Sequence, residues 1–273
     1  FVETCRVAQV DGWRMGFWQA LTGLVLLLPL LPFMAWPEDM NFYFAAGGVA
    51  VIFTIGMLVQ LRLSEDRHGR VSAIYMPLEA IAAMVIWVLV TPYMLQEYIK
   101  DTLMTVSVSL AFAFSSYALF KIRANDANWA TFLIVAPVGM TYAVAGVVTK
   151  VVLSDYTQNI IPAALSYILV VFVVMTTIMG VSVLFKKKTG AGFVSRQTVQ
   201  YGLVAGLFSV LSYSTFAISV AYAPNPGYTS MMAMLLPVWL LSWHGFLQMD
   251  DKASPLAALF IVISMLLLIV ASH

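Results

Sequence analysis

The sequence predicts an all-α membrane protein with nine transmembrane helices. They read as an inverted-topology repeat of five plus five, with the first helix absent or truncated. Three observations predict this: nine long apolar runs, Lys and Arg gathered in alternate gaps between them, and opposite character in corresponding gaps of the two halves. The 273-residue chain is 62% hydrophobic and 10% charged. A soluble domain carries about 25% charged residues, so these charges are too few to cover a water-facing surface.

In order, the runs are Trp13–Trp36, Asn41–Leu61, Val71–Leu95, Thr102–Phe120, Trp129–Thr149, Asn159–Phe185, Thr198–Ala221, Tyr228–Leu247 and Leu256–Ser272. At 1.5 Å of rise per residue, a helix of roughly 20 residues crosses the ~30 Å hydrocarbon core, and the longer runs tilt or kink. Barrel strands need about ten residues of strict alternation, which these runs lack. The connections are short, and no soluble domain interrupts them. The chain begins at Phe1, and residues 1–12 read as the tail of a longer protein.

The gaps carry the topology. Arg6 precedes the first run and Arg14 is its second residue. Arg62, Arg67 and Arg70 follow the second, and Lys121 and Arg123 follow the fourth. Lys186, Lys187, Lys188 and Arg196 follow the sixth, and Lys252 follows the eighth. The other gaps hold only Lys100 and Lys150, beside Glu38, Asp39, Glu97, Asp101 and Asp155. Positive charge resists translocation, so the start of the chain is expected in the cytoplasm and His273 on the opposite face. Lys186–Lys188 can also touch anionic lipid. Corresponding gaps differ in character: 37–40 is acidic and 186–197 basic, while 62–70 is basic and Pro224–Gly227 uncharged. Two related halves inserted in opposite directions produce this, a construction shared by many secondary transporters. A proline also lies inside an apolar run in each half, at Pro77 and Pro237.

The stretch from Ala223 to Ser272 contains the turn Pro224–Gly227, then Pro237-Val238, then Asp250 with Asp251, and a last apolar run. Pro77, Glu97 and Thr102–Phe120 form a looser first copy. In this order of elements the chain resembles the EamA-type members of the drug/metabolite transporter superfamily. Asp stands after the eighth run where the family usually has Glu. The resemblance implies a first repeat over 1–121 lacking its first helix and a second over 122–273, in a multi-pass protein of the bacterial inner (plasma) membrane. It implies efflux or other secondary transport by alternating access. It also implies that the fifth and seventh runs line a central cavity.

Glu79 stands deep within the third run. An acidic residue at a helix centre costs about 2.5–3.5 kcal/mol on insertion scales, and such residues face a bundle interior or a cavity. It is a candidate substrate, cation or proton site; the structural alternative is a carboxyl bonded to Tyr75, one turn earlier, or to another span. His244, in the eighth run, is a candidate proton relay, or an interfacial polar residue. Trp239 and Trp243, one turn apart, are either an aromatic wall or lipid-facing bulk. Thr141 and Tyr142 of the fifth run, with Ser212 and Tyr213 of the seventh, are cavity hydroxyls that can bind substrate or neighbouring helices. Pro77, Pro137 and Pro237 are expected to kink their helices. Gly202 and Gly206, four apart, suit close helix packing.

The leading function is therefore a secondary transporter or exporter of a small organic metabolite, amino acid or drug-like compound, driven by proton coupling or exchange. The alternatives are a membrane-embedded enzyme and a non-transporting membrane scaffold. No nucleotide-binding loop, HExxH or paired-Asp motif appears, and Cys5 is the lone cysteine. No catalytic residue, metal or cofactor is expected. A net charge of +1 carries no nucleic-acid signal. The expected partners are a small-molecule substrate, the lipid bilayer and protons, with the chain a monomer or homodimer.

Overall fold

The computed structural model describes residues 10–66, 75–93, 96, 100–123, 129–156, 158–185, 195–235, 238–239, 242, 246 and 255–271. Among them every regular element is helical. The order is α1 (Gly12–Leu27), α2 (Met40–Asp66), α3 (Met76–Val90), α4 (Thr102–Arg123), α5 (Trp129–Ser154), α6 (Ile160–Phe185), α7 (Arg196–Tyr222), α8 (Pro226–Ala233) and α9 (Pro255–Ala271). A 3-10 turn, Leu28–Phe33, extends α1. Pro29 and Pro32 in that turn lack the N–H groups that a continued α-helix needs.

Side-chain caps start several helices. The Asp11 carboxylate accepts from the Trp13 and Arg14 amides of α1, at 2.9 and 3.3 Å. Asp39 accepts from Asn41 and Asp101 from Met104, each at 2.9 Å. Asp39 and Asp101, read above as topology charges, thus satisfy otherwise orphaned helix N–H groups.

Five apolar stretches are long enough to cross a membrane: Gly12–Phe33, Met40–Gln60, Ala136–Ser154, Ile160–Phe185 and Arg196–Tyr222. Leu78–Val90 and Thr102–Ala118 are shorter apolar helices. Outward-facing side chains are apolar too, including Phe44, Val85, Val173, Leu203 and Phe208. Lipid, not water, suits such a surface. These features are those of a multi-pass integral membrane protein.

The chain folds into two compact units. The first is residues 1–69 with 148–222, and the second is 70–147 with 223–273. Each unit draws helices from both sides of residue 121. In the first unit α1 packs on α6 and α7, and α2 on α6. In the second, α3 packs on α8 and α4 on α9.

The first unit shows how small residues set helix spacing. A Cβ at Gly206 would lie 2.7 Å from the Gln19 carbonyl oxygen, and one at Gly202 would collide with Trp18. Glycine at both positions lets α7 lie directly on α1. The second unit has a Met-rich core of Met76, Met231, Met234 and Met265 around Ala80 and Ala111. Flexible thioethers fill such irregular gaps.

Candidate functional site

Glu79 belongs to the second unit. The described helix α3 begins at Met76, so Glu79 lies in its first turn. Pro77 also falls in that turn, where its missing N–H costs nothing. It therefore stands at the start of the described helix. A carboxylate is favoured at this end by the helix dipole.

Glu79 is only 8% exposed. The Ser230 hydroxyl of α8 donates to its Oε1 at 2.9 Å. Among the described residues that hydroxyl is the carboxyl's hydrogen-bond partner, and no Lys or Arg pairs with it. Of the two structural partners expected, Tyr75 or a residue of another span, the one found is Ser230 of another helix. Ser230 is held there by the start of α8. The Asn225 side chain accepts from the Gly227 amide at 2.8 Å, and Pro226 opens the helix. A buried carboxylate without a cation is costly as an anion.

Two glycines enclose the backbone around Glu79. A Cβ at Gly139 of α5 would lie 2.9 Å from the Tyr75 carbonyl oxygen and 3.3 Å from the Glu79 nitrogen. A Cβ at Gly227 of α8 would lie 2.9 Å from the Ala80 carbonyl oxygen and 3.0 Å from the Met84 nitrogen. Both helices therefore touch the α3 backbone within a turn of the carboxylate. Tyr75 meets Tyr142 edge to face, with ring centres 5.3 Å apart. Tyr75, Glu79 and Tyr142 are thus gathered in one unit, joined by Ser230.

The other candidates are not gathered there. Thr141 faces outward and donates to the Val138 carbonyl of its own helix, at 3.0 Å. Pro137 lies inside α5 and is exposed. Trp239 is 67% exposed. Ser212 and Tyr213 belong to the first unit, where Ser212 is exposed and Tyr213 packs between Phe53 and Phe172. Pro237, Trp243 and His244 lie outside the described residues.

Lys150, read above as a loop charge, is a buried residue of α5. Its Nζ donates to the Ala221 carbonyl oxygen at 2.7 Å, near the end of α7. There the helix dipole favours a cation. The second unit also has an apolar groove of about 330 Å³, lined by Ile81, Met84, Val85, Val88, Leu89 and Phe112. None of these side chains offers a charged or hydrogen-bonding group to a ligand.

A solved structure described as "Crystal structure of protein" is similar along 99% of this chain and 92% of its own, with a TM-score of 0.64 and 12% identity. At that identity the likeness shows the fold alone. No family model matches the chain, and no curated protein matches it.

Proposed function

We infer that the protein is a secondary transporter or exporter of a small organic metabolite, amino acid or drug-like compound, of the EamA-type drug/metabolite kind. The observation that supports this reading is that helices five apart meet: α1 packs on α6 as well as on α7, α3 on α8 and α4 on α9, while α2 packs mainly on α6. α2 meets α7 through Phe53 and Tyr213, ring centres 5.0 Å apart.

An inverted repeat with an odd number of helices per half makes such partners run in opposite directions. Two of the pairs do. The Ala35 amide at the far end of α1 donates to Pro162 at the start of α6, and Gly23 abuts Phe172 while Phe17 abuts Gly180. In the other pair Gly227 abuts Ala80 and Met84, while Ser230 bonds Glu79. The sequence positions fall on one helix as they rise on the other. The Lys/Arg pattern, from which nine spans and a cytoplasmic start are expected, supports the same reading.

Glu79 is the coupling group of the proposal. Its carboxyl sits at a junction of three helices and exchanges a proton or cation as they move. Such intramembrane carboxyls mark ion and proton pathways. Trp239, Trp243 and His244 remain candidates for the substrate wall and proton relay. The discriminating experiment begins with a growth screen of an overexpressing bacterial strain against toxic amino acids and metabolites. Resistance to one of them supports export and supplies the substrate. A membrane enzyme or scaffold gives no such protection.

A further inference from the structure

The helix α8 turns one face inward. Gly227, Ser230, Met231 and Met234 lie three and four residues apart, so they share a face, and all four are buried. Met232 faces the other way and is 49% exposed.

The two ends of α8 are built differently. At its start the Asn225 side chain and carbonyl accept from the Gly227 and Tyr228 amides, at 2.8 and 3.0 Å. At its end the bonds reach back three residues, from the Met234 amide to Met231 and from the Leu235 amide to Met232, at 2.9 and 3.1 Å. A turn tightened in this way closes a helix. α8 is therefore a short separate piece. A hydrogen bond from Ser230 to Glu79, 2.9 Å long, fastens it to α3. Around that bond the contacts are apolar: Gly227 abuts Ala80 and Met84, and Met231 and Met234 share a core with Met76 and Ala80. Apolar contact is non-directional, and Met side chains repack readily. The polar bond is the directional tie between the two helices.

The strength of that tie depends on a proton. A hydroxyl that donates to a carboxylate makes a charge-assisted bond, roughly twice as strong as a neutral one. When Glu79 takes up a proton from water, an O–H bond forms on the carboxyl and the negative charge is gone. Ser230 then faces a neutral acid, and the tie falls to the ordinary kind. The titratable side chains packed about Glu79 are Tyr75 of its own segment, Tyr142 of α5 and Tyr228 of α8. Tyrosines keep their protons below about pH 9. Among their described residues, α4 and α9 bury no ionisable side chain.

We propose that Ser230 is a positioning residue through which the proton on Glu79 sets the seat of α8. With the carboxylate charged, α8 is held against α3; with the carboxyl protonated, α8 is free to shift. This rests on the reading of Glu79 as the coupling group, and it names the helix that answers that group and the atom that carries the signal.

The test reads the motion of α8 itself. In the full chain carrying Cys5→Ser, a nitroxide on Met232→Cys reports that motion by electron paramagnetic resonance in liposomes. Outward-facing Val173→Cys on α6 is the control. On lowering the pH from about 9 to about 5, where tyrosines stay protonated, the mobile component of the Met232 label rises several-fold and the control does not change. Glu79→Gln, a neutral acceptor, holds the mobile state at both ends of that range. Ser230→Ala loses the response to pH, and Ser230→Thr, which keeps the hydroxyl, retains it. A Met232 label that ignores pH overturns the proposal, as does a response that survives Ser230→Ala or Glu79→Gln. These two variants test the bond from its two ends, so either decides the matter if the other fails to fold. The spectra need no flux. A failure to find transport therefore leaves this result standing, and a label indifferent to pH leaves transport by another coupling standing.

Discussion

Gly227→Ala tests whether close packing of α8 on α3 is what holds Ser230 against Glu79. The new Cβ would lie 2.9 Å from the Ala80 carbonyl oxygen and 2.9 Å from Met84 Cβ. Relaxed contacts need roughly 3.5–4.0 Å, so α8 has to withdraw by about 0.6–1 Å. Ser230 lies one turn further along the same helix and moves with it. Its 2.9 Å bond to Glu79 then lengthens to about 3.5–3.9 Å, beyond hydrogen-bonding range. The overpacking costs about 1–3 kcal/mol. Ser230→Ala alone leaves the buried carboxyl without its donor, at about 1–3 kcal/mol. The two effects overlap, because Gly227→Ala has already broken the bond. The double variant is therefore less destabilised than the sum by about 1 kcal/mol. Unfolding in mixed detergent–SDS micelles measures all four proteins. Gly48→Ala is the control, since a Cβ there meets nothing within 4 Å. It is expected to be neutral or stabilising by up to about 1 kcal/mol. Additivity within about 0.5 kcal/mol, or Gly227→Ala as stable as Gly48→Ala, would refute the reasoning.

Other substitutions probe the remaining features. Lys150→Met keeps the stem but loses the bond to Ala221, and should cost about 1–3 kcal/mol in the same unfolding assay. Trp239→Ala removes an exposed side chain, so stability should change by less than about 0.5 kcal/mol. If Trp239 walls the substrate path, flux falls while stability holds. Tyr156 lies in the turn between α5 and α6. Burial, then Asp39, Asp155 and Tyr43, raise its phenol above the usual tyrosine range. The raised group contributes its stability fully below the unfolded tyrosine value, near pH 10. That contribution is lost as pH rises through the folded value. Tyr156→Phe should therefore flatten the decline in melting temperature above about pH 10, measured by thermal unfolding at stepped pH.

The helices were legible in the sequence because their signal is local. Long apolar runs and caps need no knowledge of partners, and α2, α6 and α7 follow their predicted runs to within a few residues. The glycine pair of GLVAG was legible for the same reason: four-residue spacing marks one helix face, and α1 lies against it. Boundaries near proline were harder. The run through Trp36 becomes a 3-10 turn at Leu28, and the described α3 starts at Met76 with Glu79 in its first turn. Ser230 was missed because a serine in an apolar helix carries no pattern. Its only clue was that Glu79 needed a donor, and many hydroxyls qualified. The contact between Gln19 and Ser209 was hidden likewise, because they lie 190 residues apart and only packing brings them together.

The central claim is that the chain moves a small organic solute by alternating access with Glu79 as coupling group. It is tested most directly by uptake of the radiolabelled resistance substrate into proteoliposomes, without nucleotide, for wild type and Glu79→Gln. The account predicts saturable uptake that Glu79→Gln lowers by about tenfold or more, a loss of roughly 1.4 kcal/mol in the limiting step. Uptake no greater than into empty liposomes would contradict transport, and a wild-type rate in Glu79→Gln would remove Glu79 from the mechanism.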